Sequence, residues 1–256
     1  MQGRSKEEAR KNKRMDKYGI IGNPLGHSFS KKFFTEKFAK ERIDAEYINF
    51  QIPEIRCILD VLRENPELRG LNVTLPYKSE VIPFLDELSS EAQEIGAVNV
   101  IQIRNGHLKG FNSDIIGFMR SIQPLLKPHH HKALILGTGG ASKAIRVGLS
   151  RLGIEWKYVS RTPHEDMITY DDITSDTLKE YKVIVNCSPV GMYPKTEECP
   201  AIPYEHLTSD HLLYDLVYNP ETTLFMQHGA EHGSTIKNGL QMLYLQAIAS
   251  WEFWNE

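Results

Sequence analysis

Ala133-Leu134-Ile135-Leu136-Gly137-Thr138-Gly139-Gly140-Ala141-Ser142 sets the fold of this 256-residue chain. Four apolar residues read as a buried strand, the glycines as a tight turn, and Ser142 to Leu152 as a helix. A strand that turns through glycines into a helix leaves free amides at the helix N-terminus, where an anion binds. Gly137 permits the turn, and Gly139 allows a pyrophosphate to approach the backbone. Ser142 replaces the third glycine of the dinucleotide fingerprint, so the match is to a variant. A glycine turn required only for close packing is the alternative, and the strand–turn–helix context favours the nucleotide. The next strand, Trp156–Val159, ends in Ser160-Arg161-Thr162, with no acid before Glu165. An NAD site places a carboxylate there for the ribose hydroxyls. An arginine instead offers a planar fork to a 2′-phosphate, which points to NADP.

Outward from this unit, short apolar runs alternate with amphipathic stretches, the pattern of an α/β fold. Upstream, Tyr18–Ile21 is a strand stopped by Gly22-Asn23-Pro24. Phe33, Phe34 and Phe38 mark one helix, and Ile55, Ile58, Leu59 and Leu62 a second. Gly70–Leu75 and Val98–Ile103 are further strands, and Asn105-Gly106 predicts a tight hairpin turn. Downstream, Val183–Val185 and Leu212–Leu216 are strands, and Gly239–Trp254 is a helix with Leu240, Leu243, Ala247 and Trp251 on one face. Pro124, Pro128 and His129-His130-His131 mark an exposed connection. The expectation is an N-terminal domain over 15–117 that the helix 239–256 completes, and a dinucleotide-binding domain over 118–238.

Apolar residues make up 41% and charged residues 25%, the balance of a globular protein. No run approaches the length of a membrane-spanning helix, and a net charge of -3 gives no sign of a nucleic-acid partner. Residues 1–17 carry seven bases against three acids and almost nothing apolar, so 1–14 reads as a disordered basic leader rather than a secretory signal. Cys57, Cys187 and Cys199 are too few and too irregular for a disulfide framework or a zinc site, and no metal is expected. The composition suits a reducing, cytoplasmic compartment.

The N-terminal half sets polar residues at strand ends and turns. Ser28 and Ser30 open a helix, where two hydroxyls beside the positive dipole end suit a carboxylate or simply cap the helix. Thr74 follows Asn72 in a strand, and Lys78 follows Pro76-Tyr77. Asn99 interrupts an apolar run, where its amide must be satisfied inside the fold or by a ligand. Asp114, in Asn112-Ser113-Asp114, suits either a helix cap or a site.

In this order the motifs resemble the shikimate dehydrogenase family. The resemblance rests on Gly22-Asn23-Pro24 with His27-Ser28-Phe29-Ser30, Asn72-Val73-Thr74-Leu75-Pro76-Tyr77-Lys78, Gly96-Ala97-Val98-Asn99 and Asn112-Ser113-Asp114. It continues through the glycine turn, Tyr214-Asp215-Leu216-Val217-Tyr218-Asn219-Pro220 and Asn238-Gly239-Leu240-Gln241-Met242-Leu243. It runs from about residue 17 to the C-terminus. It implies an α/β fold with an N-terminal substrate domain, a C-terminal Rossmann domain and a cleft between them. It also implies NADPH-dependent, reversible reduction of 3-dehydroshikimate to shikimate in aromatic amino-acid biosynthesis. By the family pattern Lys78 and Asp114 are the catalytic pair. Ser28, Ser30 and Tyr218 hold the substrate carboxylate, and Thr74, Asn99, Asp114 and Gln246 bind ring hydroxyls. Gly137, Thr138, Gly139, Gly140 and Ala141 cradle the pyrophosphate, Ser160, Arg161 and Thr162 surround the adenosine phosphate, and Leu216 and Gly239 line the nicotinamide end. Many members have Asn-Arg-Thr followed by another base where this chain has Ser160-Arg161-Thr162-Pro163-His164, and many extend further beyond the position of Trp254. The partner expected is a small molecule, with no nucleic acid or membrane, in a monomer or homodimer. The rivals are an NAD-using quinate/shikimate dehydrogenase and an inactive dinucleotide-binding sensor.

Overall fold

Apolar runs that stop at glycine, proline or asparagine become the strands of two sheets, one in each of two compact units. The computed structural model describes residues 15–26 and 29–256. The leader 1–14 and Ser28 therefore lie outside the described residues. The first unit takes the chain as far as Ala92, with Val98–Phe111 and Ser250–Glu256. The second takes Gln93–Ala97 and Asn112–Ala249.

In the first unit β1 (Asp16–Gly22) is followed by α1 (Phe29–Glu41), β2 (Ala45–Gln51), a single 3-10 turn at Ile55–Cys57 running into α2 (Ile58–Glu64), and β3 (Leu68–Val73). Next come β4 (Glu87–Leu88), α3 (Ser90–Ile95), which belongs to the second unit from Gln93 onward, β5 (Val100–Arg104) and β6 (His107–Phe111). The sheet order is β2-β1-β3-β5-β6-β4. β1 is parallel to β2 and β3, whereas β3, β5 and β6 are antiparallel in turn. Asn105 and Gly106 close the β5–β6 hairpin with φ of 51 and 81°, the left-handed pair that a two-residue hairpin turn requires. Ile21, Ile58, Leu71, Val73, Val81 and Ile101 form one core. Across the sheet an aromatic cluster joins Tyr18, Phe34, Phe38, Tyr47 and Trp254, with ring centroids 4.9–6.4 Å apart. A Cβ on Gly70 would lie 2.3 Å from the Trp254 indole, so the absence of a side chain at 70 lets that ring lie flat on the sheet.

Two features depart from the sequence expectation. β2 is a strand where the pattern gives only helices, because on this edge strand most residues are just half-buried and leave no clean alternation. Leu59 is exposed although it shares the spacing of Ile58 and Leu62, since α2 is only seven residues long and buries a narrow stripe.

The second unit follows a doubly wound plan. α4 (Asp114–Ile122) leads to β7 (Lys132–Leu136), α5 (Gly140–Arg151), β8 (Glu155–Ser160), β9 (Met167–Thr169), α6 (Ser175–Glu180) and β10 (Val183–Asn186). β11 (Leu212–Asp215), α7 (Leu224–Glu231), β12 (Thr235–Lys237) and α8 (Leu240–Asn255) complete it. Its sheet is parallel, ordered β12-β11-β10-β7-β8-β9. Read from β9, that is the 3-2-1-4-5-6 order of the Rossmann fold, with β7 first. Both faces are covered, as a parallel sheet requires. Ala133 and Ile135 enter one core with Phe118, Ile145 and Tyr214, while Leu134 and Leu136 enter the other with Val159, Ile184 and Phe225.

The chain passes from the first unit to the second after Phe111 rather than near 117. α4 behaves as one body because Ile115, Phe118 and Ile122 are all buried in the second unit's cores. Of α8, only Ser250 onward joins the first unit. Leu240, expected on its buried face, is 38% exposed, and Met242 and Ala249 are buried instead.

Candidate functional site

The glycine turn stands where β7 ends. Gly137 has φ of 99°, a left-handed conformation that glycine alone adopts freely. Its amide donates to the Val159 carbonyl at 3.0 Å, tying the turn to β8. Gly139 caps α5 with φ of -71°, so its conformation does not demand glycine. A Cβ built there would meet no protein atom within 4 Å. The space before the α5 N-terminus is therefore open, and a side chain at 139 would enter it. That fits the turn to a pyrophosphate drawn onto helix amides. Buried Ser142 donates its hydroxyl to the Gly139 carbonyl at 2.7 Å, locking the first turn where a third glycine would otherwise stand.

A pocket of about 360 Å³ opens from this turn. Its lining includes Gly137, Thr138, Gly139, Ser160, Arg161 and Thr162, so six of the expected nucleotide residues share one cavity. Gly140 and Ala141 form the first turn of α5 without lining it. Leu216 and Gly239 do not line it either, but they meet each other: a Cβ on Gly239 would stand 2.1 Å from the Leu216 carbonyl oxygen. The sequence reading missed Tyr170, after β9, and Cys187-Ser188-Pro189-Val190, after β10. The usable signal was position, since ligands of open parallel sheets sit beyond the carboxyl ends of the strands. Burial raises the Tyr170 phenol pKa, and the nearby Arg161 guanidinium opposes the rise.

Within the first unit, Thr74, Lys78 and Asn99 are gathered where β3 ends. The Thr74 amide donates to the Ile21 carbonyl, and its own carbonyl accepts from Tyr77. The Lys78 carbonyl accepts from Val98 at 2.7 Å, and the Asn99 carbonyl accepts from Val73 at 2.9 Å. The turn 74–78 is thus stitched to the chain entering β5. Buried Tyr77 anchors it further, its hydroxyl donating to the Ile52 carbonyl at 2.8 Å. Lys78 is half-buried and Asn99 is buried.

Ser30, on the first turn of α1, reaches the same cluster through buried groups. Its hydroxyl bonds the Tyr47 phenol, which donates to Asn72 Oδ1 at 2.7 Å. Asn72 Nδ2 in turn donates to the Asn99 carbonyl at 3.2 Å and to Ser250 Oγ at 3.1 Å. Burial holds the Tyr47 phenol well above its ordinary pKa, so it remains a hydroxyl donor. Tyr47 carries no mark in the sequence, since nothing in an edge-strand tyrosine signals such a link.

Within the second unit, buried Asp114 begins α4, its amide donating to Asn112 Oδ1 at 3.1 Å. Asn112 Nδ2 donates to the Ala97 carbonyl at 3.0 Å. An acid on the first helical turn is favoured by the macrodipole. Gln246 packs against Gly117 of the same helix, and its Oε1 accepts from Ser113 Oγ at 3.3 Å. Tyr218, in the loop after β11, is 41% exposed.

Residues 20–101 match the family model described as the shikimate dehydrogenase substrate binding domain. The shikimate dehydrogenase (NADP(+)) of Desulforamulus reducens is 33% identical, the match spanning 92% of this chain and 88% of that protein. A chorismate mutase/shikimate 5-dehydrogenase fusion protein from Clostridium acetobutylicum is similar in structure, with a TM-score of 0.84 and 36% identity over 95% of this chain and 92% of that one. The shikimate 5-dehydrogenase of Thermus thermophilus, solved with NADP(H) and shikimate, gives a TM-score of 0.83 and 29% identity over 94% and 93%. With the substrate-domain match, this identity along nearly the whole chain and the Rossmann order of the second sheet, the chain belongs to the shikimate dehydrogenase family.

Proposed function

We propose that this protein is an NADP-dependent shikimate dehydrogenase, which reversibly reduces the ketone of 3-dehydroshikimate to the alcohol of shikimate. The observation that carries the reading is the pocket in which the open Gly137–Gly139 turn and Arg161 occur together, in a chain whose other unit matches the substrate domain. The named relatives act on shikimate, and one was solved with NADP(H). Gly137, Thr138 and Gly139 are suited to the pyrophosphate, at the N-terminus of α5. Ser160, Arg161 and Thr162 are suited to a 2′-phosphate, which favours NADP over the NAD-using rival.

A nicotinamide bound here would supply the hydride. Reduction of a ketone leaves negative charge on oxygen, and a positioned cation is what stabilises it. Lys78 is assigned as that cation and as the proton donor to the alkoxide, reversing to base in oxidation. Asp114 is assigned to hold the reacting hydroxyl. Ser28, Ser30 and Tyr218 are assigned to the substrate carboxylate, and Thr74, Asn99 and Gln246 to the ring hydroxyls. The stitched turn 74–78 supports this, since a rigid turn presents Thr74 and Lys78 with little entropy left to lose. Buried Gln246 is held within its own unit, its Oε1 accepting from Ser113 Oγ and its Nε2 donating to the Leu243 carbonyl. None of the three cysteines forms a disulfide, which supports a cytoplasmic setting, and among the described residues no helix is long and apolar enough to cross a membrane.

The test is to follow the near-ultraviolet absorbance of reduced nucleotide while crossing NADP and NAD with shikimate and quinate. The expected result is fastest turnover with NADP and shikimate. Absence of turnover in all four combinations, with nucleotide bound, would instead favour the sensor.

A further inference from the structure

The assigned chemistry does not use Asn186 or Asp215, two polar side chains with no exposed surface. They are register partners at the carboxyl ends of β10 and β11. Asp215 Oδ1 accepts from Asn186 Nδ2 at 3.0 Å and from the Val217 amide at 3.0 Å, and Oδ2 accepts from Thr223 Oγ1 at 2.6 Å. These three donors are neutral, so a charge is buried without a cation among them. A carboxylate, which only accepts, satisfies all three at once, whereas an amide would present an N–H to one of them.

Asn186 passes that order to the nucleotide pocket. With Nδ2 held by Asp215, its Oδ1 faces the next loop and accepts from the Ser188 amide at 3.0 Å and the Ser188 hydroxyl at 2.6 Å. Nδ2 also donates to the Val190 carbonyl at 3.4 Å. Residues 187–190 form the pocket wall, and Ser188 stands against the glycine turn, its amide nitrogen 3.3 Å from where a Gly137 Cβ would be. The same carboxylate fixes the Val217 amide, and the Val217 carbonyl accepts from Gly239 at 3.2 Å. Both loops beyond these strands thus depend on one buried pair.

We propose that Asn186 and Asp215 are positioning residues for the dinucleotide: Asp215 orients the Asn186 amide, and Asn186 shapes the 187–190 wall against the Gly137 turn, so that nucleotide affinity depends on a pair that does not touch the nucleotide. The proposal rests on the dinucleotide reading of this pocket. A fold needs no buried unpaired charge at this place, but a wall held by one oriented amide does need an acceptor that cannot rotate into a donor.

The experiment titrates NADPH directly, by its fluorescence, into wild type and the variants Asn186→Ala, Asp215→Asn and the double variant, with KM for shikimate measured beside it. Asn186→Ala is expected to weaken NADPH about tenfold, the scale of a lost buried hydrogen-bond set, with KM for shikimate within about twofold of wild type. Asp215→Asn keeps an oxygen for Asn186 and Val217 and is expected to fall between wild type and Asn186→Ala. Because Asp215→Asn keeps the oxygen that holds Val217, its remaining effect passes through Asn186, and adding it to Asn186→Ala is expected to weaken NADPH no further, whereas two independent structural roles would add. Unchanged NADPH affinity in cooperatively melting variants, an equal rise in nucleotide and shikimate constants, or additive losses would each overturn the proposal. Should Asn186→Ala not fold, Ser188→Ala, which removes only the hydroxyl contact to Asn186, is expected to weaken NADPH about twofold to threefold, and no change would count against the proposal. Wild type that binds neither NADPH nor NADH would instead overturn the dinucleotide reading itself.

Discussion

Arg161 bears most of the distinction between the two nucleotides. It is exposed at the end of β8, in the pocket with Ser160 and Thr162, where an NAD site would hold a carboxylate. Arg161→Ala is expected to raise KM for NADP about tenfold or more, since a charge-assisted bidentate contact is lost, and to leave KM for NAD nearly unchanged. Equal losses for both nucleotides would contradict the assignment. Asp215 makes a separate prediction about stability. Burial raises its carboxyl to about 6, against the three hydrogen bonds that hold it down. Between about 4, its unfolded value, and 6, the folded protein therefore keeps a proton that the unfolded chain has lost. Stability from this group is greatest below that window and falls as pH rises through it, by on the order of 3 kcal/mol. Asp215→Asn removes the titration, so wild type should gain on the variant by that order when thermal unfolding is compared from pH 7 down to pH 4. Parallel curves would refute the buried, ionised carboxyl.

At the scale of elements, α5 tests whether its N-terminus is kept open for a ligand. No protein atom lies near a Cβ at Gly139, and its φ suits any residue. Gly139→Ala is therefore expected to shift stability by no more than about 1 kcal/mol while weakening NADPH at least about tenfold. A normal NADPH titration of this variant would mean that the open space serves no pyrophosphate. This element was legible in the sequence because strand, turn and helix each leave a local mark there. Asn105-Gly106 was legible for the same reason, as few other pairs accept two left-handed residues. β2 was not, because an edge strand with most residues half-buried has no sharp period of two. Nor was the exposure of Leu59 and Leu240, since spacing places a residue on a helix face and only tertiary packing decides what covers that face. Among site residues, those in glycine turns and polar interruptions of strands could be named. Ser188, Tyr170, Tyr47 and Asn186 could not, because their surroundings come from other strands.

Over the whole molecule, the change in sequence character near the proline-rich connection announced two units, and the Rossmann order of β7 to β12 follows from the alternation of strands and helices. Helix α4 puts the crossing between units at Phe111/Asn112, because its apolar residues Ile115, Phe118 and Ile122 belong to the second unit's cores. The proposed proton donor, Lys78, lies in the first unit and the nucleotide pocket in the second, so replacing Lys78 should separate proton transfer from nucleotide binding. The most direct test replaces Lys78 with methionine, which keeps the length of the side chain and removes its charge. The account predicts that with NADPH and 3-dehydroshikimate the variant's kcat falls at least about a hundredfold, the usual contribution of a general acid, while its NADPH affinity stays at the wild-type value. A Lys78→Met protein that turns over at a near-normal rate, or one that loses NADPH affinity in step with its rate, would contradict it.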